Sequence, residues 1–189
     1  MNRLRESIER FAPGCEQEQA DRRLMLQALD MAAGAALSRD NLPFHFSASS
    51  IIVNPARTHT LMAFHNLYKS WAWTGGHADG DADLLSVALR EANEETGIAQ
   101  LRVLTTEAIS LEALTVEPHV KRGKFVPAHI HMNLTYALEA DDRLPIRCKP
   151  DENARVGWLP IAALPARVSE PYMIGIYQKI LDRILQRGL

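Results

Sequence analysis

The run from Gly75 to Ile98 constrains the fold of this chain more than any other. It opens Gly75-Gly76-His77-Ala78-Asp79-Gly80-Asp81-Ala82-Asp83, continues through six mostly apolar residues, and closes Arg90-Glu91-Ala92-Asn93-Glu94-Glu95-Thr96-Gly97-Ile98. The glycines and aspartates of the first half predict a loop with a tight turn. In the second half Leu85, Ala88, Leu89, Ala92 and Thr96 recur at helical spacing and predict one buried stripe. Asp81 is the expected N-cap, Asp83 an anion favoured by the helix dipole, and Gly97 the left-handed stop.

Glu91, Glu94 and Glu95 share about a third of the helix circumference, off that stripe. Like charges at these spacings repel by about a few tenths of a kcal/mol each, and no lysine interleaves them. Leu84 and Val87 lie on the same side, which predicts a cleft wall. Converging carboxylates suit a hard divalent cation. The competing reading is a solvated acidic helix face.

The whole pattern resembles the signature of the Nudix hydrolase superfamily. That signature is Gly, five residues, Glu, seven residues, Arg-Glu, an aliphatic residue, any residue, Glu-Glu, any residue, Gly, an aliphatic residue. Gly76, Arg90, Glu91, Glu94, Glu95, Gly97 and Ile98 fall in register. Two positions depart: Ala82 replaces the first Glu, and Ala92 is smaller than the usual aliphatic residue. Asp81 and Asp83 flank the missing carboxylate.

The resemblance implies an α/β/α sandwich with a mixed sheet, assigned to residues 43–189; the helical N-terminal extension, 1–42, lies outside it. It implies a magnesium-dependent hydrolase, with manganese as a substitute, that cleaves a diphosphate linkage. The expected substrate is a nucleoside diphosphate joined to another group. The Gly76 carbonyl with Glu91, Glu94 and Glu95 would hold the cation, and Arg90 would orient the carboxylates. Glu152, in the loop before a predicted strand, is the further acidic residue such proteins bring to the site, and Glu91 and Glu152 both stand as the base. Two alternatives remain: a non-catalytic sensor of the same fold, motivated by Ala82 and Ala92, and the related isopentenyl-diphosphate isomerase. The isomerase uses a cysteine near the strand before the helix, and no Cys lies between Cys15 and Cys148.

Elsewhere the chain alternates helix and strand patterns. Leu4, Ile8 and Phe11 predict a short helix ended by Pro13-Gly14, and a second is expected from Glu16 to Leu37, packed on the main domain or in a homodimer. Strands are predicted over 46–53, 58–64, 71–73, 101–105, 109–116, 128–138 and 155–159, with a turn at Asn54-Pro55. A C-terminal helix carries Met173, Ile176, Tyr177, Ile180, Leu181 and Ile184.

A formal charge of −2 argues against general affinity for nucleic-acid backbone. No apolar run follows Met1-Asn2-Arg3 and none is long enough to span a bilayer, so a cytoplasmic protein with reduced thiols is expected. Other polar residues invite chemistry. His129 and His131 share one face of a strand and could hold phosphate or metal, or form a hydrogen-bonded pair. His77, beside Gly76, and Trp73 are candidate substrate contacts; Tyr68 and Trp71 could also stack a base, or pack as core or rim. Lys121-Arg122-Gly123-Lys124 reads as a charged hairpin tip.

Overall fold

The computed structural model describes residues 2–121 and 123–189. Two long strands form its spine, β1 (Phe44–Val53) and β9 (His129–Glu139), paired in parallel from Phe44↔Ile130 to Val53↔Glu139. On the outer side of β1 lie β2 (His59–His65) and β4 (Thr74–His77), which share its length. Strands β3 (Ser70–Ala72) and β10 (Asn153–Pro160) pair with β2. Outside β9 lie β5 (Arg102–Val103) and β6 (Ser110–Val116), completing a mixed eight-stranded sheet. A separate hairpin, β7 (His119–Lys121) with β8 (Lys124–Val126), flanks Arg122, so the expected hairpin tip falls partly outside the described residues.

Strand alternation divides β1 between two helical layers. Phe46, Ala48, Ser50 and Ile52 face α3 (Leu84–Thr96), where Val87 and Ala88 pack with Phe46 and Ala48, and Ala92 with Ile52, Leu61 and Leu138. Ile51 and Val53 face the opposite way, toward α5 (Pro171–Gln186), whose Ile176, Tyr177, Ile180, Leu181 and Ile184 are buried. Between β10 and α5 a short α4 (Leu164–Arg167) completes the second layer, and Leu164 joins its core.

The N-terminal helices, α1 (Asn2–Arg10) and α2 (Glu16–Ala32), pack on this body, with Leu4, Ile8, Met25 and Leu29 in the α3-side core. Helix α2 also covers the edge strand β6, whose unpaired backbone groups would otherwise invite another strand. Gln17 Nε2 donates to the Leu111 carbonyl at 2.9 Å, and the Ala113 N–H donates to Asp21 at 3.0 Å. Of the two packings left open for α2, the structure shows the one within its own chain.

Several boundaries differ from the sequence reading. Helix α2 ends at Ala32 rather than Leu37, because Ala33 takes a positive φ of 46° and a tight 3-10 turn follows to Leu37. Gly75-Gly76 lie within β4 rather than in a turn, and the chain turns at Asp79-Gly80, with φ of 48° and 94°. Asp83, not Asp81, caps α3: its Oδ1 accepts the Ser86 N–H, while Asp81 Oδ1 accepts the Asp83 N–H. The stripe is rotated as well. Leu84, Val87 and Glu95 are buried with Ala88, Ala92 and Thr96, whereas Leu85 and Leu89 are half-buried. Gly97 does end the helix in the left-handed region, φ 75°. Both cysteines are free, and no helix among the described residues is long and apolar enough to cross a membrane.

A buried ionic cluster ties α2 to α5. Glu18 has no side-chain exposure and accepts from Arg183 Nη1 and Nη2 at 2.8 and 2.9 Å, from the Gly14 N–H at 2.7 Å and from Ser110 at 2.8 Å. Burial pushes this carboxyl up, but Arg183, the Gly14 amide, Lys179 and Ser110 together hold it at about 2. A depressed folded-state pKa stabilises the fold above the unfolded carboxyl's range and loses that contribution as pH falls toward 2. The shift corresponds to about 3 kcal/mol. Glu18→Gln should lower unfolding free energy at pH 7 by at least about 3 kcal/mol, since it also strands Arg183. Denaturant unfolding at pH 7 and pH 3 should show the gap between parent and variant narrowing at the lower pH. A gap unchanged with pH would mean the ion pair adds no net stability.

Candidate metal centre

The close approach of β4 to α3 builds the site. A Cβ on Gly76 would lie 2.4 Å from Glu91 Cδ, and one on Gly75 would lie 2.6 Å from the Ala48 carbonyl. Only glycine lets this strand sit between β1 and the helix carboxylates. In return the backbone organises them. The Gly75 N–H donates to Glu95 Oε1 at 2.8 Å, and Asn153 Nδ2, from the start of β10, donates to Glu95 Oε2 at 2.6 Å.

The three helix carboxylates therefore differ in setting. Glu95 is buried and fixed at both oxygens; burial raises its pKa to about 7 in spite of its two donors. Glu91 is half-buried against Gly76, and its pKa is raised by burial and by Glu94. Glu94 is exposed and pairs with Lys149 Nζ at 3.1 Å. Lys149 also binds Glu152 at 3.2 Å. Glu152 in turn acts electrostatically on both Glu91 and Glu95. Burial works against the Lys149 charge, but Glu94 and Glu152 hold it protonated above its ordinary range. Arg90 lies 3.7 Å from Glu91 and 3.8 Å from Asp81, bridging the helix to the loop before it.

Gly76, Glu91, Glu94, Glu95, Arg90 and Glu152 thus come together. His77, although next to Gly76, belongs to the other face of β4, as strand alternation requires. There it meets His131, with ring centroids 4.9 Å apart, and His131 meets His129 at 4.9 Å. Trp73 lies edge-on to Tyr177 at 5.3 Å, and Trp71 edge-on to Phe64 at 5.6 Å with Arg155 above it. Tyr68 packs on His65 at 4.6 Å. Sequence reasoning missed Lys149 and Asn153. The run Lys149-Pro150-Asp151-Glu152-Asn153 holds both, but spacing alone does not say that it folds over α3.

The donor set fits a hard divalent cation. Its groups are oxygens, and two of the carboxyls are raised by burial and mutual repulsion, which a cation would relieve. Asn153 Oδ1, buried beside Glu95, has no hydrogen-bond partner. Ala82, at the position of the missing acid, is half-buried against the α3-side core. Ala92 is fully buried among Ile52, Leu61, Ile98 and Leu138, where the sheet leaves room for a methyl.

Comparisons with known proteins agree with this architecture. Solved structures with the same fold include a C. elegans Ap4A hydrolase (16% identity, TM-score 0.52, covering 76% of this chain and 98% of that one). A Nudix hydrolase from M. smegmatis matches at 18% identity and TM-score 0.55, covering 77% and 87% of the two chains. The E. coli dihydroneopterin triphosphate pyrophosphohydrolase matches at 15% and 0.54, covering 72% and 94%. At these identities the likeness is one of fold. No curated protein matches the chain. The family model described as the NUDIX domain matches residues 43–180, most of the chain, and with the carboxylate helix in register this places the protein in the NUDIX family.

Proposed function

We propose that this protein is a magnesium-dependent pyrophosphohydrolase acting on a small diphosphate compound, with a nucleoside diphosphate joined to a second group as the favoured class. Residues 43–189 would form the catalytic unit and residues 1–42 a helical extension. The observation that carries the reading is the gathering of Glu94, Glu95 and Glu152 around Glu91, itself packed against Gly76. The Gly76 carbonyl with Glu91, Glu94 and Glu95 would hold magnesium or manganese. When bound, the ion supplies neutralisation of the diphosphate and activation of water for in-line attack.

The chain's own residues do the rest. Glu95, clamped by Gly75 and Asn153, keeps a fixed position in the oxygen cluster. Arg90 orients Glu91 from the solvent side. Lys149 holds Glu152 beside Glu94, and its charge favours an anionic substrate at the rim. Glu91 and Glu152 are the two carboxylates proposed to take the proton from water. Trp73, His77, His129 and His131 are retained as substrate contacts, reached only by a group that extends past β4. The second reading, a sensor without turnover, rests on Ala82 and Ala92.

Three outcomes test the proposal. Hydrolysis of a panel of nucleoside diphosphate derivatives should vanish with chelator and return with magnesium or manganese; full turnover in chelator would end the metal reading. Glu91→Gln or Glu95→Gln should lower kcat by about two or more powers of ten, as for loss of an electrostatic stabiliser, with the thermal transition retained. Unchanged turnover in both would reduce the cluster to surface charge. Ala82→Glu should leave turnover within a few-fold of the parent, because Asp83 already caps α3 and Asp81 braces the loop. An inert parent switched on by Ala82→Glu would favour the sensor.

A further inference from the structure

The other face of β4 carries a second cluster of side chains, unlike the first in chemistry. Its members are imidazoles. His45 on β1 and His131 on β9 are directly paired across the parallel ladder, and His77 on β4 lies diagonal to His45, since its own partner is Ser47. The ring centroids of His45 lie 5.0 Å from His77 and 4.9 Å from His131. One ring nitrogen from each of the three lies within 4.8 Å of the other two.

Two of these rings have their tautomers set by what stands behind them. His45 Nδ1 faces the Asn41 carbonyl at 3.4 Å and can only donate there, which leaves the lone pair on Nε2. That Nε2 is buried and has no hydrogen-bond partner, in a residue only 3% exposed. An orphaned acceptor at this depth is costly unless something coordinates it. Behind His131, His129 Nδ1 donates to the Pro127 carbonyl at 2.8 Å, so its Nε2 accepts from His131 Nε2, 3.1 Å away. This assigns the lone pair of His131 to Nδ1. Carbonyl–imidazole relays of this kind orient histidines for metals. Burial pushes the His45 pKa down.

We propose that His45, His77 and His131 form a second metal site, for a borderline transition-metal dication of the zinc class, with His129 as the supporting partner of His131. Three imidazoles without a carboxylate suit zinc, cobalt or nickel and poorly suit magnesium. In a tetrahedral site with nitrogens about 2.0–2.1 Å from the ion, ligand atoms stand roughly 3.3 Å apart, so the rings would close by up to about 1.5 Å. On this proposal half-buried His77 and His131 make that movement, with buried His45 as the fixed member. Three protein ligands leave one position for water or a ligand. Two charges near the cluster pair with each other: Arg39 and Asp79, both of which act on His45, are joined by two hydrogen bonds. The inference stands whether or not the carboxylate site hydrolyses diphosphates.

Cobalt(II) is the probe, because its visible d–d bands report nitrogen coordination while magnesium is silent. The protein, in a large excess of magnesium to fill the carboxylate site, should take up one equivalent of cobalt with an intense visible spectrum. Glu91→Gln and Glu95→Gln should retain the spectrum and the stoichiometry. His77→Gln, a half-buried change, should weaken cobalt binding by at least the roughly 10–100-fold that loss of a supporting partner alone costs. His45→Phe should do the same, and if it fails to fold, His77→Gln and His131→Gln, checked by thermal unfolding, decide. The proposal is overturned if the parent takes up no cobalt under magnesium excess. It is equally overturned if binding survives the folded histidine variants or disappears with the glutamates instead.

Discussion

The ten-residue parallel pairing of β1 with β9 is the constraint on which the rest of the structure depends. Parallel strands cannot be joined by a hairpin, so the chain between them must leave the sheet and return. Here it uses that excursion to lay down β2, β3, β4 and α3 on one side and β5 and β6 on the other. Because the pairing is continuous from Phe44 to Val53, a one-residue slip would exchange the faces of every side chain along it. Phe46, Ala48 and Ile52 would then leave the α3 interface, and His45 would part from His131. Both side-chain clusters, the carboxylates and the imidazoles, are consequences of one register.

Strand β4 transmits that register to the carboxylates. Its Gly75 amide meets Glu95, and its Gly76 has no side chain to hold Glu91 away. A buried glutamate with two donors is expensive to desolvate and is held there by geometry rather than by net stability. Glu95 links β4, α3 and β10 at one point, through Gly75 and Asn153. The loop carrying Lys149 and Glu152 is thereby anchored beside the helix, with the Asn66 N–H donating to the Glu152 carbonyl at 2.9 Å as a second tether.

Much of this was legible in the sequence, and the misses have physical causes. The period of α3, its Gly97 stop and the spacing of its glutamates are local properties, written within one helix. Asp81 and Asp83 both have cap chemistry, and only the chain direction leaving Gly80 selects Asp83. The stripe rotates because Glu95, outward by residue type, is buried where two donors from distant strands make its burial tolerable. Gly75-Gly76 read as a turn because glycine permits turns and close approach alike, and tertiary packing decides between them. The His45 contribution was invisible for the same reason. Its partners His77 and His131 lie 32 and 86 positions away, and no periodicity connects them. The division of the chain at residue 42 remains a proposal about folding units, since α1 and α2 share the α3-side core with the sheet.

The lower half of the face toward α5 explains why these two sites can stay apart on one narrow strand. Ile51 and Val53 give that face an ordinary apolar core, but toward the start of β1 it turns polar with Ser49 and Ser47. Both hydroxyls donate to Asn133 Oδ1, at 2.8 and 3.1 Å; Asn133 donates to Thr135 at 3.0 Å, and Thr135 to Glu112 at 3.0 Å. Glu112 is reached by Lys179 of α5, which also binds Glu18. Such a network stabilises little compared with packed aliphatic residues, but it is directional, and each member has one geometry that satisfies it. It therefore locks β1, β6 and β9 against α2 and α5 without the latitude that apolar contacts allow. The imidazoles stand at one end of this network and Glu18 with Arg183 at the other. With that side of the sheet tied by the network, β4 presents Gly76 to α3 on one face and His77 to the histidines on the other.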